Sequence, residues 1–133
     1  MVYQGFTYLY CSCIWGKGER MYFKPEEFTC KCCGKHPIDS VFLAQLERAR
    51  EIAGVPFVIT SGYRCPKHNA EVGSTSKNHT SGKAADIRAV SGPERGKILK
   101  GLYRAGFTRI GISFEKNFVH ADSMDDVESC WHY

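Results

Sequence analysis

An α+β domain, with helices laid against a small antiparallel sheet, follows from three features of the 133-residue chain. Two long segments carry apolar residues at helical spacing behind recognisable caps. Short β-branched or aromatic runs of strand length lie between and after them, bounded by turn residues. The two kinds of segment follow no regular βαβ alternation, and no internal repeat is present, so helices against an antiparallel sheet are expected.

The first helix starts at Asp39, an N-cap residue, with Ile38 and Leu43 placed as a hydrophobic staple. Phe42, Leu46, Ala49 and Ala53 then share one face, and Gly54 ends it. Pro56 to Ile59 reads as a buried strand running into the loop Thr60-Ser61-Gly62. Pro66 starts a short helix within Cys65 to Val72. The polar, turn-rich stretch from Gly73 to Gly82 leads into a strand from Ala84 to Ala89. Ser91 and Glu94 form a capping box for the second long helix, which carries Ile98, Leu99 and Leu102 and stops at Gly106. Phe107 to Ser113 and Phe118 to Asp122 are two strands joined by a turn at Glu115 to Asn117.

Residues 1–20 differ in character from the rest of the chain. Phe6 to Trp15 is apolar and aromatic, yet it lacks the positive n-region and small-residue cleavage site of a signal peptide. Met21 reads as a second start, so residues 1–20 are expected to be an extension and residues 21–133 the domain. Hydrophobic residues at 43% and charged residues at 24% exclude a disordered chain. The net charge of +4 comes from basic residues spread along the chain, which gives no nucleic-acid footprint. No apolar run approaches the ~20 residues of a membrane span. A monomer is expected.

His79 in the polar loop, Asp86 in one strand and His120 in another stand out by placement. A charge in a strand that otherwise reads as core needs a partner. Two imidazoles and a carboxylate would hold zinc and leave its fourth position for water. The alternative is a surface His79, with Asp86 and His120 paired to each other or to an arginine.

The segment Ser76-Lys77-Asn78-His79-Thr80-Ser81-Gly82-Lys83-Ala84-Ala85-Asp86 resembles the His-x-x-Gly-x-Ala-x-Asp signature of the M15 zinc peptidases. The resemblance extends through Thr60-Ser61-Gly62-Tyr63-Arg64 with Asn69, through Asn117-Phe118-Val119-His120-Ala121-Asp122, and to Trp131-His132-Tyr133. Phe23 to Gly34 looks like the opening of compact single-domain members. It implies a fold shared with the Hedgehog signalling domain and a zinc peptidase of peptidoglycan stem peptides. Both D-alanyl-D-alanine carboxypeptidases and endopeptidases, including phage lysis enzymes, belong to that family, so action at the bacterial cell wall is expected.

By the same resemblance His79, Asp86 and His120 would bind one zinc. Arg64 would hold a substrate carboxylate or carbonyl, a task suited to the planar guanidinium. Lys77 stands where many members have a serine, which leaves Ser76, one residue back, on the substrate side. Asn117 stands where many members place an acidic general base, and an amide cannot take the water's proton. Glu115 is then the first candidate base, Asp122 the second and His68 a distant third. Asp122 also faces the same side of its strand as His120 and could orient a ligand or the active-site loop; a solvated strand-end charge is the other reading. The implied chemistry is metal-assisted hydrolysis. A catalytically weak, zinc-containing wall- or peptide-binding module of the same fold is the alternative.

Seven cysteines cannot all pair within one chain. Cys30 and Cys33 form C-x-x-C with Cys32 between them, and Cys65 and His68 form C-x-x-H. Together Cys30, Cys33, Cys65 and His68 have the composition of a Cys3His structural zinc site. A disulfide from Cys30 or Cys33 to Cys65, or free thiols, are the other readings; a redox or structural zinc protein would follow if this cluster carried the function. Cys11, Cys13 and Cys130 look incidental.

Overall fold

A computed structural model describes residues 21–133, and the expectations for residues 1–20 lie outside the described residues. A 3₁₀ turn, Pro25–Phe28, precedes helix α1, Ser40–Ala53. The Asp39 carboxylate accepts the Phe42 N–H at 2.9 Å, and Gly54 closes the helix in the left-handed conformation. Phe42, Leu46, Ala49 and Ala53 face the core as their spacing predicts. Glu47 shares that buried face because its carboxylate takes the backbone N–H groups of Tyr22 and Phe23, at 2.9 and 2.8 Å. Burial pushes its carboxyl pKa up, and the two N–H donors oppose the shift.

Strand β1 is Ile59–Ser61, helix α2 is Pro66–Glu71, and a second 3₁₀ turn covers His79–Ser81. Strand β2 is Ala84–Arg88 and helix α3 is Gly92–Arg104. Strands β3, Arg109–Ser113, and β4, Phe118–Asp122, form the expected hairpin, and β5 spans Ser129–His132. At the start of α3 the Ser91 hydroxyl accepts the Glu94 N–H at 3.2 Å, but the Glu94 carboxylate takes the N–H of Val90. The reciprocal half of the expected capping box is therefore shifted by one residue. The first strand is also displaced. Phe57 is spent on the core, and ladder pairing begins at Ile59, where the expected strand ends.

The five strands lie in the order β1-β2-β4-β3-β5. All pairs are antiparallel except β3–β5, so the sheet is mixed rather than wholly antiparallel. The short connection after Asp122 reverses the chain, as a hairpin would. The slots on both sides of β4 are already filled by β2 and β3, so β5 passes to the free edge of β3 and runs parallel to it.

Helices α1 and α3 pack against each other over one face of the sheet. Ala85 and Ile87 of β2, Val119 and Ala121 of β4, and Ile110 of β3 point into that core beside the fully buried Phe28 and Phe42. Burying each such large side chain contributes about 1.5–3 kcal/mol. Alternation along the strands sends the intervening residues to the opposite face. There the register aligns Ser61, Asp86, His120, Gly111 and Trp131 in one row across all five strands. The helices thus hold the sheet from behind, and the other face is left to carry polar groups.

Candidate metal centre

His79, Asp86 and His120 meet on that open face. One ligand atom from each lies within 4.8 Å of the others. Asp86 and His120 are directly opposed in the β2–β4 ladder, with His120 Nδ1 at 2.8 Å from Asp86 Oδ1. His79 comes from the 3₁₀ turn just before β2, and its Nε2 stands 3.4 Å from the same oxygen. All three residues are buried, His120 almost completely at 1% exposure.

Each imidazole is oriented from behind. His79 Nδ1 lies 2.7 Å from the carbonyl oxygen of Gly62. A carbonyl can only accept, so Nδ1 carries a hydrogen and Nε2 is the atom presented to Asp86. His120 Nε2 lies 2.8 Å from Asp122 Oδ2, which leaves Nδ1 as the donor atom on the Asp86 side. Asp122 is itself held by Arg109 Nε at 2.6 Å, by Asn78 Nδ2 at 3.1 Å and by the Met124 N–H at 3.1 Å. Carboxylates that orient metal-binding imidazoles in this way fix ring direction and raise ligand basicity.

The electrostatics follow from the pairing. Burial alone pushes the Asp86 carboxyl pKa up, but hydrogen bonds from His120 and His79 outweigh it and bring it well below the ordinary range. Burial opposes the His120 cation, while Asp122 and Asp86 raise its pKa from either side. Two imidazole nitrogens and a carboxylate oxygen converging on one point are a donor set for a borderline divalent cation such as zinc, with room for a further ligand on the open side.

That open side is a cleft of about 740 Å³ whose lining includes Arg64, His79, Asp86, Glu115, His120 and Tyr133. Arg64 is fixed by hydrogen bonds to Ser61 Oγ and Asn69 Oδ1, both 3.2 Å, with its guanidinium 3.8 Å from Asp86 Oδ2. Ser76 also lines the cleft, and its carbonyl accepts from Asn69 Nδ2 at 2.8 Å. Asn69 therefore ties the Arg64 and Ser76 segments together.

The base candidates separate by position. Glu115 lines the cleft from the β3–β4 turn and is exposed. Asp122 is buried behind His120, fully engaged, and not part of the lining. Its contact with the centre is through His120. Asn117 does not line the cleft either. It sits in the turn at φ 54, a left-handed conformation that asparagine tolerates better than most residues. Its carbonyl accepts the Ala89 N–H at 2.8 Å, so its place in the chain has a structural reason of its own. His68 lines the cleft with its Nδ1 at 3.8 Å from Glu71 Oε2. It is outside the sulfur group formed by Cys30, Cys33 and Cys65, which corrects the expectation that it completes a Cys3His set.

Three supports carry no local sequence signal of their role. Arg109 reaches Asp122 because they are partners in the β3–β4 ladder. Trp131 lays its ring 5.5 Å from that of His120, and the Arg109 guanidinium stands 5.4 Å from the same indole. Gly111 leaves space for these rings: a Cβ there would fall 2.7 Å from Trp131 and 2.8 Å from Tyr133.

No curated protein matches the chain. The family model described as Peptidase M15 matches residues 21–122, a span that contains Arg64, His79, Asp86, Glu115, His120 and Asp122. The match covers most of the chain and all three residues of the candidate centre, and the chain belongs to the M15 family of zinc-dependent peptidases.

Proposed function

We propose that this metallopeptidase hydrolyses peptide bonds in peptidoglycan stem peptides, at the cell wall, as a D-Ala-D-Ala carboxypeptidase or an endopeptidase. Residues 21–133 are the catalytic unit in this reading, and the chain works as a monomer. One observation carries it: a fixed guanidinium, Arg64, stands 3.8 Å from the metal-ligating Asp86 on the wall of an open cleft. Stem peptides carry free carboxylates close to their scissile bonds, and an arginine held by Ser61 and Asn69 is preorganised for a two-point hydrogen bond to one of them.

His79 Nε2, His120 Nδ1 and the Asp86 carboxylate would hold the zinc, which supplies Lewis acidity to activate water and polarise the peptide carbonyl. Arg64 binds the substrate carboxylate or the carbonyl oxygen and sets the bond in place. Glu115 takes the proton of the attacking water and passes it to the departing amine as the C–N bond breaks. Asp122, held by Arg109, keeps His120 in the required tautomer.

A second reading rests on Glu115 itself. It is exposed on a turn, and a glutamate that does not reach the water would leave a wall-binding module with little turnover. Synthetic stem peptides with free or amidated C-termini separate the readings. The expected result is hydrolysis of the free acid, an increase of at least tenfold in KM for the amide, and loss of that difference in Arg64→Lys. Substrate binding without product in the wild type, unchanged by Glu115→Gln, supports the binding module instead.

A further inference from the structure

The loop after Phe28 gathers a second set of metal-ligand atoms, remote in sequence from the histidine centre. It is closed by the Cys30 N–H on the Lys35 carbonyl at 2.7 Å and the Gly34 N–H on the Cys30 carbonyl at 3.0 Å. Gly34 turns the chain at φ 71, with open space around its Cα. This folds the C-x-x-C pair so that Cys30 and Cys33 face one point. The third sulfur arrives from the turn between β1 and α2, where Cys65 caps α2 by accepting the His68 N–H at 3.4 Å.

The sulfurs of Cys30, Cys33 and Cys65 all lie within 4.8 Å of one another. A disulfide needs one pair at about 2.05 Å and leaves the third thiol unused. A tetrahedral zinc with bonds of about 2.3 Å needs sulfurs about 3.8 Å apart, arranged round a common centre. None of the three sulfurs is in a disulfide, and separations of at most 4.8 Å among all three suit the second arrangement. Backbone donors also converge on the group. The Cys30 sulfur accepts the Cys65 N–H at 3.3 Å and further N–H groups from Cys33 and Cys32.

We propose that Cys30, Cys33 and Cys65 bind a second, structural zinc. The ion fastens the N-terminal loop to the turn that carries Arg64. That turn is otherwise tied to the loop through the Tyr63 N–H on the Phe28 carbonyl at 2.9 Å and the Cys65–Cys30 hydrogen bond. The second metal therefore braces one wall of the cleft and takes no part in the chemistry.

Cobalt loading of the full chain tests this site apart from the histidine centre. Thiolate ligands give an intense sulfur-to-cobalt charge-transfer band, which histidines and carboxylates do not. The band is expected in the wild type, retained in His120→Ala and lost in Cys33→Ser. His120→Ala should also keep one zinc per chain after exhaustive dialysis. As a measurement independent of the folding of Cys33→Ser, zinc should protect Cys30, Cys33 and Cys65 of His120→Ala from alkylation until a chelator is added. Equal alkylation with and without zinc overturns the proposal, as does a mass lower by two hydrogens with Cys65 linked to Cys30 or Cys33.

Discussion

At the residue scale the proposed centre includes Asp122 behind its three candidate ligands. Its carboxylate accepts from His120 Nε2 and couples that ring to Arg109 on the neighbouring strand. Asp122→Asn keeps the shape but removes the charge that fixes the tautomer and basicity of the imidazole. Zinc affinity should fall about 10- to 100-fold, measured by competition with a chromophoric chelator; wild-type affinity would show that His120 needs no such support. Burial pushes the Asp122 carboxyl up, but His120, Arg109 and the Met124 N–H together hold it below its ordinary range. A depressed native pKa gives stability that is present above the unfolded value and lost as pH falls toward the native one. The same variant should therefore flatten the acid limb of the stability curve.

At the element scale the site is a property of the β-ladder. The row Ser61, Asp86, His120, Gly111 and Trp131 works because each strand is in the correct register and β5 completes the far edge. Gly111→Ala puts a methyl group where the rings of Trp131 and Tyr133 lie. We expect it to shift Trp131 fluorescence and to cost about 1–3 kcal/mol of stability by overpacking; an unchanged emission spectrum and Tm would show that the rings are not held there. Asp39, Gly54, Pro66 and Ser91 were legible in the sequence because caps and breakers act within a few residues. Asp86 and His120 were legible because polar residues stood in apolar strands. The clamp of Arg109 on Asp122 was not, since it depends on which strands are neighbours. Nor was β5, because Ser-Cys-Trp-His is too short and mixed to carry a strand period. His68 had two readings, a cysteine partner by C-x-x-H spacing or a distant base candidate, and its α2 turn puts it on the cleft.

At the scale of the whole molecule, the 3₁₀ turn and the loop before α1, the β1–α2 turn and the sheet meet around one cleft, and metal binding should be felt by the fold as well as the chemistry. A ligand that binds only the native state stabilises it by about 4 kcal/mol at a thousandfold excess over Kd. Chelation should therefore lower Tm by at least several degrees, and zinc should restore it; a Tm indifferent to both would mean that the ligands do not share an ion. Among the described residues no helix is long and apolar enough to cross a membrane. In the proposed function His79, Asp86 and His120 serve the hydrolysis of wall peptides beside Arg64. Mass spectrometry of purified peptidoglycan incubated with the zinc-loaded chain tests it most directly. Fragments carrying one added water at a single type of peptide bond are expected, absent with chelator and absent with His120→Ala. Intact muropeptides from the zinc-loaded wild type, or the same fragments from His120→Ala, would contradict it.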